Sequence, residues 1–267
     1  MGFLRLALVL CLISSPVLAG KRGGIRTSLP DNTNYTIGTF PNTGQFIGFL
    51  GAFGGTCAGT LGVNYADSMS INASTFPNNS VINWQWPNNN PQSCGFGVWA
   101  FLQIAYGNYS GGTFMQVTAK QVNAISTLKV DHSIRVGGAS ALDNFDVIDD
   151  MFLTTTSGGS THATEIEFFY HVNTSAKTFF NGGTPIGTLT LNGQSWSVSQ
   201  QPSDILFMKT DQTDCLSCSV DMKAAFSYLI SQGKLTGSEW YNGHGLGVEP
   251  TLGSGTMAVD QLSVVYN

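Results

Sequence analysis

The sequence is short of charge. Asp, Glu, Lys and Arg together make up 10% of its 267 residues, against about a quarter in an average soluble protein. Lys and Arg number only 11 and cluster nowhere, which makes nucleic acid and anionic membrane poor partners. Glutamate is scarcer still: Glu165, Glu167, Glu239 and Glu249 are the whole set. Beyond the first twenty residues no apolar run is long enough to cross a bilayer as a helix. What is present is neutral and polar. Hydrophobic residues reach 42%, enough for a packed core, and Ser, Thr, Asn, Gln and 32 Gly supply the surface. Such a coat suits an uncharged polar ligand such as a sugar. The length allows one well-cored domain and is too short for two ordinary catalytic domains.

Residues 1–19 combine Arg5, the apolar run Leu6–Ile13 and small residues at Val17 and Ala19, the pattern of a secretory signal cleaved after Ala19. Pro16 ends the run before it could span a membrane. The expected product is a secreted, extracellular protein. Residues 20–43 are rich in Gly, Asn, Pro and Thr and read as a loose N-terminal arm, leaving 44–267 as a single domain. With the signal goes Cys11, so Cys57, Cys94, Cys215 and Cys218 remain. Four cysteines in an oxidising compartment imply two disulfides with three connectivities, of which Cys215–Cys218 with Cys57–Cys94 is favoured. Cys-x-x-Cys also suits a redox or zinc site, but no second pair or His pair completes one, and no metal is expected. Asn-x-Ser/Thr sequons begin at Asn34, Asn72, Asn78, Asn108 and Asn173.

The rest alternates short β patterns with turn residues. Leu128, Val130, His132, Ile134 and Val136 share one face of a strand whose other face is polar, so His132 reads as a core residue. Asn192-Gly193 between two alternating runs predicts a type I′ hairpin. Strands are also expected around Val81–Trp86, Trp99–Ala105, Thr113–Thr118, Asp146–Leu153, Thr164–Val172 and Thr256–Tyr266. Residues 219–232 break the pattern: Met222, Ala225, Phe226, Leu229 and Ile230 have helical spacing, with Ser219 as N-cap and Gly233 past the end. The expected architecture is all-β, two stacked antiparallel sheets in a jelly roll with one helix.

Two of the four glutamates lie in one strand. Period two puts Glu165, Glu167, Phe169 and His171 on one face, taken as the exposed one, and Ile166, Phe168 and Tyr170 on the core face. Asp150 lies in an otherwise apolar strand, so it points to solvent or needs a hydrogen-bond partner. The order Asp-Met-Phe-Leu (150–153), Glu-Ile-x-Phe-Phe (165–169), Thr-Pro-Ile-Gly (184–187), Asn-Gly-Gln-Ser-Trp (192–196), the helix at 221–229 and Gly-Val-Glu-Pro (247–250) resembles glycoside hydrolase family 12.

That resemblance, good over residues 143–267, implies a jelly roll with a concave cleft and retaining, endo-acting hydrolysis of β-1,4-glucan (cellulose, mixed-linkage glucan or xyloglucan) by a monomer without a cofactor. By the same resemblance Glu165 is the nucleophile, Glu249 the general acid/base and Asp150 the acid that hydrogen-bonds the nucleophile. Glu167, Phe169 and Pro250 then belong to the substrate-binding surface. Trp84 and Trp86, which share a strand face, are candidates for stacking on sugar rings. Glu167 stands where the family has Met and Phe169 where it has Trp; the family's early Asn-Asn-x-Trp element has no counterpart here. Two alternatives use the same residues differently. One is a non-catalytic jelly-roll carbohydrate-binding protein. The other is a laminarinase-like β-1,3(4)-glucanase, whose Glu-x-Asp-x-x-Glu motif Glu165-Ile166-Glu167 imitates, although Tyr170 occupies the last acidic position.

Overall fold

The computed structural model describes residues 27–30, 44–72, 74–89, 91–109, 117–140 and 143–267. The expected secretory signal, most of the expected N-terminal arm, the sequon at Asn34 and the start of the strand expected at Thr113–Thr118 lie outside them. In chain order the elements are β1 (Thr27–Pro30), β2 (Phe46–Gly51), α1 (Gly55–Ala58), β3 (Ala66–Ile71), β4 (Ser80–Trp86), β5 (Phe101–Gly107), β6 (Lys120–Gln121), β7 (Leu128–Gly138) and β8 (Asn144–Thr154). There follow β9 (His162–His171), α2 (Thr174–Asn181), β10 (Thr184–Leu191), β11 (Gln194–Gln200), β12 (Asp204–Lys209), β13 (Ser217–Asp221), α3 (Met222–Ser231), β14 (Trp240–Tyr241) and β15 (Gly243–Tyr266).

The strands form two layers. One runs β1-β3-β4-β15-β7-β13 and the other β2-β5-β15-β8-β9-β12-β11-β10. The 24-residue β15 belongs to both: its N-terminal part pairs with β5 and β8, its C-terminal part with β4 and β7. Register shifts at Pro250/Leu252 and Val259/Gln261 mark where it bends. All the named strand pairs are antiparallel except β9 with β12, which is parallel. The β10–β11 hairpin closes at Asn192-Gly193, both with positive φ (46° and 81°), as the dipeptide predicts. Four residues of the expected arm form β1, paired with β3.

Between the layers lies the main core. Met69, Ile82, Trp84 and Trp86 from one sheet meet Leu102, Ile104, Ile166, Phe168 and Tyr170 from the other, and α3 adds Met222, Ala225, Phe226 and Leu229. Each fully buried side chain of this kind contributes about 1.5–3 kcal/mol over exposure. His132 is buried in this layer, its Nε2 2.9 Å from the Cys215 carbonyl, and burial pulls its pKa down to about 4. Both disulfides form as favoured, Cys57–Cys94 and Cys215–Cys218. The cap of α3 is Asp221, whose carboxylate accepts from the Ala224 N–H, whereas Ser219 belongs to β13.

Two expectations are corrected. Trp84 and Trp86 are core residues, each 3% exposed: Trp84 packs edge-on against Phe145, and Trp86 is stacked between Tyr65 and Trp99 with its N–H donated to Asp67. Neither presents a ring to a sugar. The second concerns helices, because α2 follows β9 where only strand and loop were expected.

Candidate active site

The far face of the second sheet, turned away from the main core, collects the acids. Alternation in β9 sends Ile166, Phe168 and Tyr170 into the core and Glu165, Glu167 and Phe169 to the other side. Register fixes their neighbours: across to β8, Phe152 faces Glu165, Asp150 faces Glu167 and Ile148 faces Phe169. Across to β12, Asp204 faces Glu165 and Leu206 faces Glu167. On the other flank of β8, Gly245, Gly247 and Glu249 of β15 face Asp150, Ile148 and Asp146. Asp146, Asp150, Glu165, Glu167, Asp204 and Glu249 therefore project from one sheet face.

Gly245 leaves room for a neighbour: a Cβ there would lie 1.6 Å from the Gln103 side-chain oxygen, so in this structure Gln103 of β5 folds over the strand beside the acids in the space the glycine leaves.

A residue from outside the sheet joins them. Tyr109, just beyond β5, packs its ring against Phe101 and Phe152 and donates its hydroxyl to Asp150. That hydroxyl is held well above the usual tyrosine range, first by burial and then by the negative charges of Asp150, Glu165 and Glu249. Asp150 thus has the partner that its apolar surroundings demand. Tyr109 carries no signal in the sequence, because its contact with Asp150 spans 41 positions.

Asp150 faces Glu167 directly, and Glu165 stands one alternation further along β9. Glu165, Glu167 and Asp204 also crowd together, with one carboxylate oxygen of each within 4.8 Å of the others. Asp204 accepts a further bond from its neighbour Ser203. Glu165 is the partly exposed member, while Glu167, Asp150, Asp204 and Glu249 are buried at 0, 3, 3 and 6%.

The exposed face expected for β9 is in fact covered. Phe169 is 1% exposed and packs with Ile148, Leu206, Met208 and Phe101 against Val172, Ala176 and Phe180, the last two from α2. Its ring is therefore unavailable for sugar stacking, which corrects the substrate-contact expectation. Pro250 is buried beside Glu249 and its carbonyl accepts the Trp99 N–H at 2.8 Å. His162 stacks on Phe152, and His171 Nδ1 lies 2.8 Å from Asp214.

Asp149, next to Asp150, takes the opposite face and is fully buried near Tyr170, Tyr241 and His244. Burial raises its pKa well above the carboxylate range and lowers that of His244 to about 3. Asp149 and His244 approach to 3.9 Å, and burial shifts each toward its neutral form.

A two-layered β fold of this topology is a jelly roll. Solved structures of family 12 enzymes have this fold. A family 12 xyloglucanase from Bacillus licheniformis superposes with a TM-score of 0.70 at 16% identity, over 90% of this chain and 100% of the other. Endoglucanase 3 of family GH12 from Trichoderma harzianum gives 0.67 at 18% identity, over 90% and 98%. The endoglucanase cel12A from Rhodothermus marinus gives 0.67 at 14%, over 90% and 99%. No family model matches the chain, and no curated protein sequence matches it. What is shared with these enzymes is the fold.

Proposed function

We propose that the protein is a secreted glycoside hydrolase that cleaves β-1,4-linked glucan with retention of configuration. The observation that carries this reading is the set of carboxyl side chains, Asp150, Glu165, Glu167, Asp204 and Glu249, that β8, β9, β12 and β15 project from one sheet face, with Tyr109 donating its hydroxyl to Asp150. Retention needs two carboxyl groups about 5–5.5 Å apart, one ionised to attack the anomeric carbon and one protonated to release the leaving oxygen. In the present reading Glu165 attacks, and Glu249 protonates the leaving oxygen and later deprotonates water. Asp150, held by Tyr109, orients the β9 acid it faces. Two disulfides and a charge-poor surface fit an extracellular protein that meets uncharged polysaccharide.

The test is release of reducing ends from soluble β-glucan. Glu165→Gln and Glu249→Gln are each expected to lose at least about a hundredfold, because each removes a covalent or proton-transfer role. Glu167→Gln belongs in the same experiment, since Glu167 is the acid that faces Asp150 in register. Loss confined to Glu167→Gln, with Glu165→Gln fully active, would reassign the nucleophile to Glu167 within the same reaction. Full activity in Glu249→Gln would reject the reading.

One observation favours a second reading. Glu167, Asp150 and Glu249 are almost wholly buried, as they would be in a carbohydrate-binding protein that kept the scaffold without turnover. That protein binds polysaccharide, forms no product, and binds equally well as Glu249→Gln.

A further inference from the structure

Strands β5 and β15 meet beside the acids, and the register there singles out one side chain. Across the sheet runs the row Phe49, Gln103, Gly247, Ile148, Phe169 and Met208, from β2, β5, β15, β8, β9 and β12. On one side of it lies the row of Gly245, Asp150 and Glu167; on the other lies that of Glu249 and Asp146. Gln103 is the member of the six with a polar side chain. It is rooted midway between the two acid-bearing registers.

The glycines of β15 decide where its carboxamide goes. Alternation turns Gly245 and Gly247 to the acid face, while Leu246 and Val248 enter the core. A Cβ on Gly247 would lie 2.7 Å from the Gln103 Cβ and 2.5 Å from the Phe101 ring, so both side chains lie across bare backbone. The Gln103 side-chain oxygen then fills the place where a residue at 245 would carry its Cβ. Gly245 faces Asp150, and directly opposed residues hold their Cβ positions about 4.5–5.5 Å apart. The carboxamide thus enters the row of Asp150 and Glu167 from the β5 side, a neutral group at the end of a line of acids.

That oxygen is buried and has no hydrogen-bond partner among the described residues, and Gln103 as a whole is 5% exposed. Buried polar groups are as a rule paired, and the glycines beneath Gln103 offer it no side chain. A sugar hydroxyl both donates and accepts, so it matches a carboxamide in either orientation. We infer that Gln103 is a substrate-binding residue, its carboxamide bonding one hydroxyl of the glucose unit that lies between the acid rows on the β5 side. This rests on the carbohydrate-directed reading of the acid face proposed above and adds a point at which the sugar is read.

Gln103→Met keeps the length of the side chain and removes the acceptor. Replacing an unpaired buried polar group by an apolar one of similar shape leaves stability unchanged or raises it. The expected result is therefore split: kcat/KM on the β-1,4-linked glucose tetrasaccharide falls at least about tenfold, while Tm holds or rises. A Tm that falls with kcat/KM per folded molecule unchanged means a structural role and overturns the inference. The wild type reads the same contact through monodeoxy tetrasaccharides. Removal of one particular hydroxyl is expected to cost at least about tenfold in kcat/KM, and to cost nothing further in Gln103→Met. Hydrolysis to which no single hydroxyl matters by that factor overturns the inference and leaves the glycosidase reading intact. Calorimetric binding of the tetrasaccharide separates the two claims. Binding without product, weakened in Gln103→Met, removes the glycosidase reading and keeps Gln103 as a sugar contact. Neither binding nor hydrolysis by the wild type overturns both.

Discussion

Tyr109 gives the acid-bearing face its hydroxyl donor, bonded to Asp150. A hydroxyl donated to a carboxylate favours the charged form of that carboxylate, and burial holds the Tyr109 proton in place far above working pH. Tyr109→Phe keeps the ring contacts with Phe101 and Phe152 and removes only the donor. Hydrogen bonds to charged groups are worth about 1.5–3 kcal/mol, so kcat/KM is expected to fall roughly ten- to a hundredfold. Without the donor Asp150 takes up a proton more readily, so the acidic limb of the pH profile moves upward. Profiles of kcat/KM for the two proteins check this; superimposable curves sink the role given to Tyr109. The adjacent pair Asp149-Asp150 shows what was legible at this scale. Strand alternation sends two identical side chains to opposite faces, one to a buried core cluster and one to the acid face. Period two finds that split, but it cannot say which face carries chemistry, because here both are buried. Trp84 and Trp86 were ambiguous for the same reason.

Among the elements, the strands with one polar face and the Asn-Gly hairpin were readable because local pattern and tertiary role agree. Helix α3 was readable because ten residues with an apolar stripe exceed what a strand would need. Helix α2 was not. At eight residues it is too short for periodicity to stand out, and its apolar positions Ala176, Phe179 and Phe180 acquire meaning only from the sheet face beneath them. Its one local signal is Asn173, which the sequence offers equally as a glycosylation sequon. The cap argues for a measurable contribution: replacing an N-cap Asn by Ala costs about 1 kcal/mol. In a domain of this size that corresponds to a fall of about 2–4 °C in Tm. Asn173→Ala is therefore expected to lower Tm by that amount in a thermal melt, with any loss of amide-exchange protection concentrated in 174–181. A protection loss spread evenly over the sheets would mean that α2 does not behave as a separately capped unit.

Across the whole molecule, the two layers are joined by a strand they share, by α3 beneath them and by two covalent links of unequal reach. Cys57–Cys94 closes a separation of 37 residues and ties α1 to the turn before β5, close to the Trp86–Trp99 stack. Cys215–Cys218 closes a separation of 3 at the entry to β13. If a cross-link acts mainly by restricting the unfolded chain, its worth grows with the logarithm of the loop, giving about 4 kcal/mol for the first and about 2 kcal/mol for the second. The double variant Cys57→Ser/Cys94→Ser is accordingly expected to lose more stability than Cys215→Ser/Cys218→Ser, by about 2 kcal/mol in urea unfolding at matched m-values. Loop entropy alone predicts this order. The short bridge also sits where the Cys215 carbonyl meets the buried His132 ring, so an inverted order would show that local packing around His132 outweighs chain restriction. In that case the stability of the sheet opposite the acids would depend on one tight turn more than on the link between distant segments.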